Sequence, residues 1–250
     1  MTLFLTSSPC WDHVPEGVCL PCILNSANGF VDALRAKWPQ GGRVLIIAAD
    51  PENYPLNDEM ADTFRRAFLY HGLTMRAFTL LDARNAGRAE ELVASSGFIM
   101  LGGGHVPTQN AFNRKIGLRA LLEGYRGVIM GVSAGSMNCA DTVYAQPEMP
   151  GESVNPLYER FIEGLGLTGV NILPHYQQVK DYTLDGRRLF EDITCGDSFG
   201  HTFYAIPDGS YVLCEGGRAE VFGECLRIAD GVISLFCCEG ASRVICEGEE

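Results

Sequence analysis

The chain reads as an α/β protein with a mostly parallel sheet and helices on both faces. Two observations predict this and a third extends it. Short apolar runs alternate with amphipathic segments from residue 2 to residue 133, the pattern left by βαβ units. Several of those runs, RVLIIAAD at 43–50 and GVIMGVS at 127–133 among them, are apolar almost throughout, as buried strands are. After about residue 200 the texture changes to short apolar pieces separated by PDG, EGG and ADG, turn sequences that predict antiparallel hairpins. No linker-like tract of Pro, Ser and Gly precedes them, so residues 1–250 are read as one domain with a hairpin extension.

In chain order, TLFLTS at 2–7 is predicted as a strand that ends in polar residues, and NSANGFVDALRAKW at 25–38 as a helix capped by Asn25 or Ser26. After the strand at 43–50, NDEMADTFRRAFLYHG at 57–72 opens with Asn and acids and closes with Gly, both helix boundary signals. TMRAFTLL at 74–81 is a strand, NAGRAEELVASS at 85–96 a helix, and GFIMLGGG at 97–104 a strand that runs into glycines. AFNRKIGLRALLEGY at 111–125 follows as an amphipathic helix, then the strand at 127–133. VNILP at 170–174 is a further short strand.

Composition narrows the function. The chain has 19 basic and 31 acidic residues, a net charge of −12, which argues against nucleic acid and anionic membranes because both require a basic face. No run approaches the length of a membrane span, and MTLFLTSSPC has neither the basic start nor the apolar stretch of a signal peptide, so a cytoplasmic protein is expected. Ten cysteines are scattered along the chain, unlike a small disulfide scaffold, and are read as thiols. The one CxxC, Cys19-Leu-Pro-Cys22, has no second ligand pair at metal-binding spacing.

The sharpest motif is GVSAG at 131–135, a G-x-S-x-G match between a buried strand and a helix-compatible segment. An elbow there projects Ser133 from the strand's carboxyl end, and the Ala134 N–H can donate to an oxyanion. A second glycine cluster, LGGGH at 101–105, also follows a buried strand; it can turn N–H groups of Gly103 or Gly104 into a cavity. The plain alternatives are a Gly/Ser turn opening a helix for the first stretch and a flexible strand-to-helix loop for the second. Of five histidines, His175 follows the strand at 170–174 and is the best candidate base, because strand ends gather on one edge of an open sheet. His105 is the second candidate, or a substrate contact. For the orienting acid, Glu148 in AQPEMPGES at 145–153 is preferred, with Glu152 and Asp141 as competitors.

These residues together resemble a known family. LFLTSS, LGGG, GVSAGS at 131–136, PEMP at 147–150, GLGL, ILPHY at 172–176 and AIPDGS at 205–210, in this order, are similar to the serine peptidases of the dipeptidase E and cyanophycinase family. The resemblance implies a scaffold like class I glutamine amidotransferases, flavodoxin-like in layout. It implies Ser133 as nucleophile, His175 as base, and an acid between them in the PEMP loop, Glu148 ahead of Glu152. Gly104 and Ala134 become the oxyanion donors, and the reaction is acyl transfer from a short peptide with no metal or organic cofactor. Two stretches depart from the family pattern. GGGHVPTQN carries His105 where the dipeptidases have Asn. In VKDYTLDGRRLFED at 179–192, Asp185 stands where the Arg of aspartyl-selective members fits best. Arg187 and Arg188 are the nearest cations and, with His105, the candidate substrate-binding residues. A homo-oligomer is compatible with the sequence. The rival readings are an esterase of the α/β-hydrolase type and an inactive binding or regulatory homologue.

Overall fold

Burial on both faces organises the computed structural model, which describes residues 1–11 and 13–245. Five strands form the parallel part of an eight-stranded sheet: β1 (Thr2–Thr6), β2 (Gly42–Ile47), β3 (Met75–Leu81), β4 (Phe98–Leu101) and β5 (Val128–Val132). Alternate side chains enter opposite cores. Leu3, Leu5, Leu45, Ile47, Ile99, Leu101 and Ile129 pack on one side, and Phe4, Val44, Ile46, Phe98, Met100 and Met130 on the other.

Helices cover both faces. α1 (Phe30–Lys37) and α2 (Tyr54–Tyr70) bring Phe30, Leu34, Phe64 and Phe68 to the second core. α3 (Ala89–Ala94), α4 (Val106–Lys115) and α5 (Leu118–Leu121) bring Leu92, Phe112 and Leu118 to the first. The expected fold is therefore the observed one, with boundaries moved for identifiable reasons. The helix expected from residue 25 starts at Phe30, because Asn28 and Gly29 take left-handed backbone (φ 54° and 73°). The helix expected over 111–125 is two helices, parted at Gly117 (φ 66°), and the first starts earlier because Pro107 fits a first helical turn.

The C-terminal third divides between two sheets. β6 (Asn171–Leu173), β7 (Thr202–Ala205), β8 (Tyr211–Glu215), β9 (Arg218–Phe222), β10 (Cys225–Ala229), β11 (Val232–Cys237) and β12 (Ser242–Ile245) follow the short helix α6 (Ala134–Met137). The large sheet runs β12-β9-β8-β1-β5-β4-β2-β3, and the small one β6-β7-β10-β11. EGG and ADG do close hairpins, β8–β9 and β10–β11. PDG does not: β7 and β8 belong to different sheets, so residues 206–210 are a crossover.

Cysteines 10 to 238 are free thiols, while Cys246 and the acidic tail 247–250 lie outside the described residues. Cys22 of the CxxC contacts the Cys10 thiol, next to the antiparallel pair Cys10–Trp11 and Ile23–Leu24. That contact, with burial, pushes the Cys10 thiol far above its ordinary range. Among the described residues no helix is long and apolar enough to cross a membrane.

Candidate active site

Parallel pairing sets the site. Thr6 on β1 is in register with Val132 on β5, and Leu101 on β4 with Gly131. The three carboxyl ends thus lie side by side, bringing Ser7, Ser133 and the glycines after Leu101 together. Ser133 sits one residue past β5 in strained backbone (φ 50°, ψ −116°), the conformation of a nucleophile elbow. Its N–H donates to the Thr6 and Ser7 carbonyls at 3.0 Å. Ser136 pins the turn from the other side: its hydroxyl donates to the Thr6 carbonyl and accepts from the Thr6 N–H, both at 2.8 Å. The motif glycines are required by space. A Cβ on Gly131 would lie 2.5 Å from the Ser136 Cα, and one on Gly135 would run into the Leu101 carbonyl. Gly103 packs against the Ser133 side chain, and a Cβ on Gly104 would lie 2.7 Å from the Ala49 Cβ. Ala134 is the first residue of α6, where a helix leaves its N–H unpaired.

His175 lies two residues past β6, also in left-handed backbone (φ 58°). Its Nε2 is 2.9 Å from the Ser133 hydroxyl and its Nδ1 is 2.8 Å from Asp208 Oδ1. With a proton on Nδ1, the ring donates to Asp208 and Nε2 accepts from Ser133. The carboxylate bonded to the His175 ring is therefore that of Asp208, whereas Glu148, expected there, lies beside His105. β6 pairs in parallel with β7, Leu173 opposite Ala205, so residues just past each strand emerge at one edge. Asp208 is three residues past β7, in the PDG crossover.

Asp208 is heavily partnered. Oδ1 accepts from the Ser7 hydroxyl at 2.5 Å and the Ser8 N–H at 3.0 Å; Oδ2 accepts from Gln177 at 2.7 Å and Gln178 at 2.9 Å. Burial pushes its carboxyl up, but the bonds from His175, Ser7 and Gln177 and the charge of His175 outweigh it and hold the group at about 2. Ser7 also accepts the His175 backbone N–H at 2.7 Å, so one hydroxyl fixes both acid and base.

Glu148 lies across the mouth of the site. It lines a cavity of about 230 Å³ with Gly104, Ser133, Ala134 and His175, yet its carboxylate is on the side of His105, 3.9 Å from Nε2. His105 is bonded elsewhere: Nε2 to Glu152 at 2.9 Å and Nδ1 to the Thr108 hydroxyl at 2.7 Å. Glu152 accepts the N–H groups of Glu148 and Met149 through its other oxygen, both at 2.9 Å, and so folds the PEMP loop. Asp141 pairs with Arg119 at 2.7 Å. Arg188 is tied to Asp192 at 2.6 Å, Arg187 is an exposed residue of the hairpin 183–188, and neither lines the cavity. His105 does not line it either, and reaches its edge through Glu148 and Glu152.

The model of peptidase family S51 matches residues 48–222. The chain belongs to peptidase family S51. It is thereby a serine-type peptidase of the dipeptidase E family. Its fold is similar to the 1.5 Å crystal structure of a protein from Listeria monocytogenes EGD-e recorded as a putative peptidase E. The TM-score is 0.60 at 17% identity, over 88% of this chain and 96% of that one. Among curated proteins nothing matches.

Asp208 escapes the sequence reading of this S51 peptidase although it lies in the AIPDGS motif. The PDG tripeptide reads as a hairpin turn, and the family resemblance points to an acid between Ser133 and His175. One signal was available: Ala205 ends an apolar run, and a charged residue just past a strand end is placed as His175 is.

Proposed function

We propose that the peptidase cleaves short peptides through an acyl-enzyme on Ser133. The observation that supports this best is the continuous relay from the Ser133 hydroxyl through His175 to Asp208, with contacts of 2.9 and 2.8 Å. His175 Nε2 takes the hydroxyl proton as Ser133 attacks the peptide carbonyl. Asp208 holds the ring in the Nδ1–H tautomer and stabilises the imidazolium. The N–H groups of Gly104 and Ala134 receive the oxyanion. His175 then protonates the leaving amine and activates the water that releases the acyl group. The cavity of about 230 Å³ favours short substrates, since sites for drug-sized molecules typically measure ~300–1,000 Å³.

A fluorophosphonate probe tests the relay. Labelling is expected at Ser133 and is expected to vanish in His175→Ala. Ser133→Ala should lose ~10³-fold or more of hydrolysis in a dipeptide-library screen. Parental turnover by Ser133→Ala would end this reading, and activity confined to p-nitrophenyl esters would turn it towards an esterase.

A further inference from the structure

The catalytic relay uses one carboxylate and leaves another facing the same cavity. Glu148 is the only acidic side chain among the residues lining it, and the walls beside it are mostly apolar: Val106, Met137, Pro147, Val179 and Leu189. Among the described residues no lysine or arginine lines that space. Resting on the peptidase reading above, we propose that Glu148 is a specificity-determining residue. It receives the positively charged group of a cationic peptide, an ammonium or guanidinium, from the residue seated beside Ser133.

Three features support this role. The first is the way the carboxylate is presented. Pro147 and Pro150 stiffen the loop, Glu152 accepts the backbone N–H groups of Glu148 and Met149, and Asp185 clamps the loop's far side. Asp185 accepts from the Gly151 N–H at 2.8 Å and from the Ser153 hydroxyl at 2.7 Å. The position where the family resemblance suggested an Arg thus holds an acid that shapes the loop. A carboxylate fixed in this way loses little freedom when a ligand docks.

The second feature is the state of the group itself. Burial raises the Glu148 carboxyl above its ordinary range, an effect that the nearby His105, a hydrogen bond from the Val106 N–H and the more distant His175 only partly offset. His105 is not a full counter-ion, because both ring nitrogens are engaged by Glu152 and Thr108 and the approach to Glu148 is 3.9 Å. An incoming cation would complete the pairing. The third feature is the apolar wall, which suits the methylene stem of a lysine or arginine side chain while its charged end reaches the half-exposed carboxylate. Aspartyl substrates would meet a like charge instead.

The test uses the purified full chain and matched peptides with Lys, Arg, norleucine, Gln or Asp at each position, with free and acetylated amino termini. The parent is expected to favour cationic over neutral peptides in kcat/KM by about 10- to 100-fold, the scale of a hydrogen bond to a charged group. In Glu148→Gln that ratio should fall towards one, and in Glu148→Lys the preference should shift to acidic peptides; thermal melting checks that both variants fold. Loss of the preference on acetylation assigns the cation to the amino terminus, and its persistence assigns it to the side chain; both support the proposal. Ser133-dependent hydrolysis with no preference for cations, or a preference that survives Glu148→Gln, overturns the proposal and leaves the peptidase reading standing. Hydrolysis that persists in Ser133→Ala overturns both.

Discussion

Two histidine–carboxylate pairs flank Ser133, and they are built differently. On the sheet side, Asp208 collects bonds from Ser7, Ser8, His175, Gln177 and Gln178, and its carboxyl is held at about 2. On the loop side, His105 is paired to Glu152, which folds its own loop, while Glu148 stands half-exposed with its carboxyl raised. Both sides place acid close to imidazole. The difference lies in the donors. An acid surrounded by hydrogen-bond donors is a fixed charge, suited to hold a tautomer and an imidazolium. An acid with fewer donors, as Glu148 is with the Val106 N–H, is suited to take a counter-charge from a ligand. In the proposed reaction the Asp208 side is fixed machinery, and the Glu148 side selects what the reaction accepts.

Exchanging carboxylate for amide on the two sides gives the sharpest contrast. Asp208→Asn should lower kcat by ~10³- to 10⁴-fold, because an amide can leave the ring in the wrong tautomer. Glu148→Gln should act through substrate preference, as set out above. If Glu148→Gln matched the loss of Asp208→Asn in kcat on every substrate, the division of labour between the two acids would fail.

Ser7→Ala sharpens the sheet side. It removes the hydroxyl that joins Asp208 to the His175 backbone and leaves that N–H short of an acceptor, a loss worth about 1–3 kcal/mol. The expected result is a fall of roughly tenfold or more in kcat, with KM little changed and recovery in Ser7→Thr. A change confined to KM would place Ser7 on the substrate side instead.

The smallest effect is on acid stability. The Asp208 carboxyl is lowered on folding from 3.8 to about 2, so the unfolded chain binds its proton more readily. The group therefore stabilises the fold above pH ~4, by ~2 kcal/mol, and loses that contribution as the pH falls towards 2. Urea titrations of the parent and Asp208→Asn should converge over that window. A stability gap that stays constant from pH 6 to pH 2 would assign the effect to something other than this ionisation.

How legible the molecule was depends on the range of the forces involved. The alternating apolar runs fixed the parallel core, because a strand buried on both faces must be apolar along its length. The elbow was legible for the same local reason: Gly131, Ser133 and Gly135 meet a steric demand set within a few residues. His175 could be placed because it follows a recognisable strand. Asp208 could not, since its role depends on β6 and β7 pairing in parallel and on a crossover that looks, in sequence, like a hairpin turn. Glu148 and Glu152 fell in the expected loop, but which imidazole they face was set by the packing of that loop against His105 and Asp185. The sequence determined the parallel sheet and the places of Ser133 and His175 at strand ends, because local geometry and burial write periodic patterns. Only the tertiary structure decided which acid bonds to His175 and which faces the cavity, because a carboxylate carries no mark of its partner until distant segments are brought within a hydrogen bond of it.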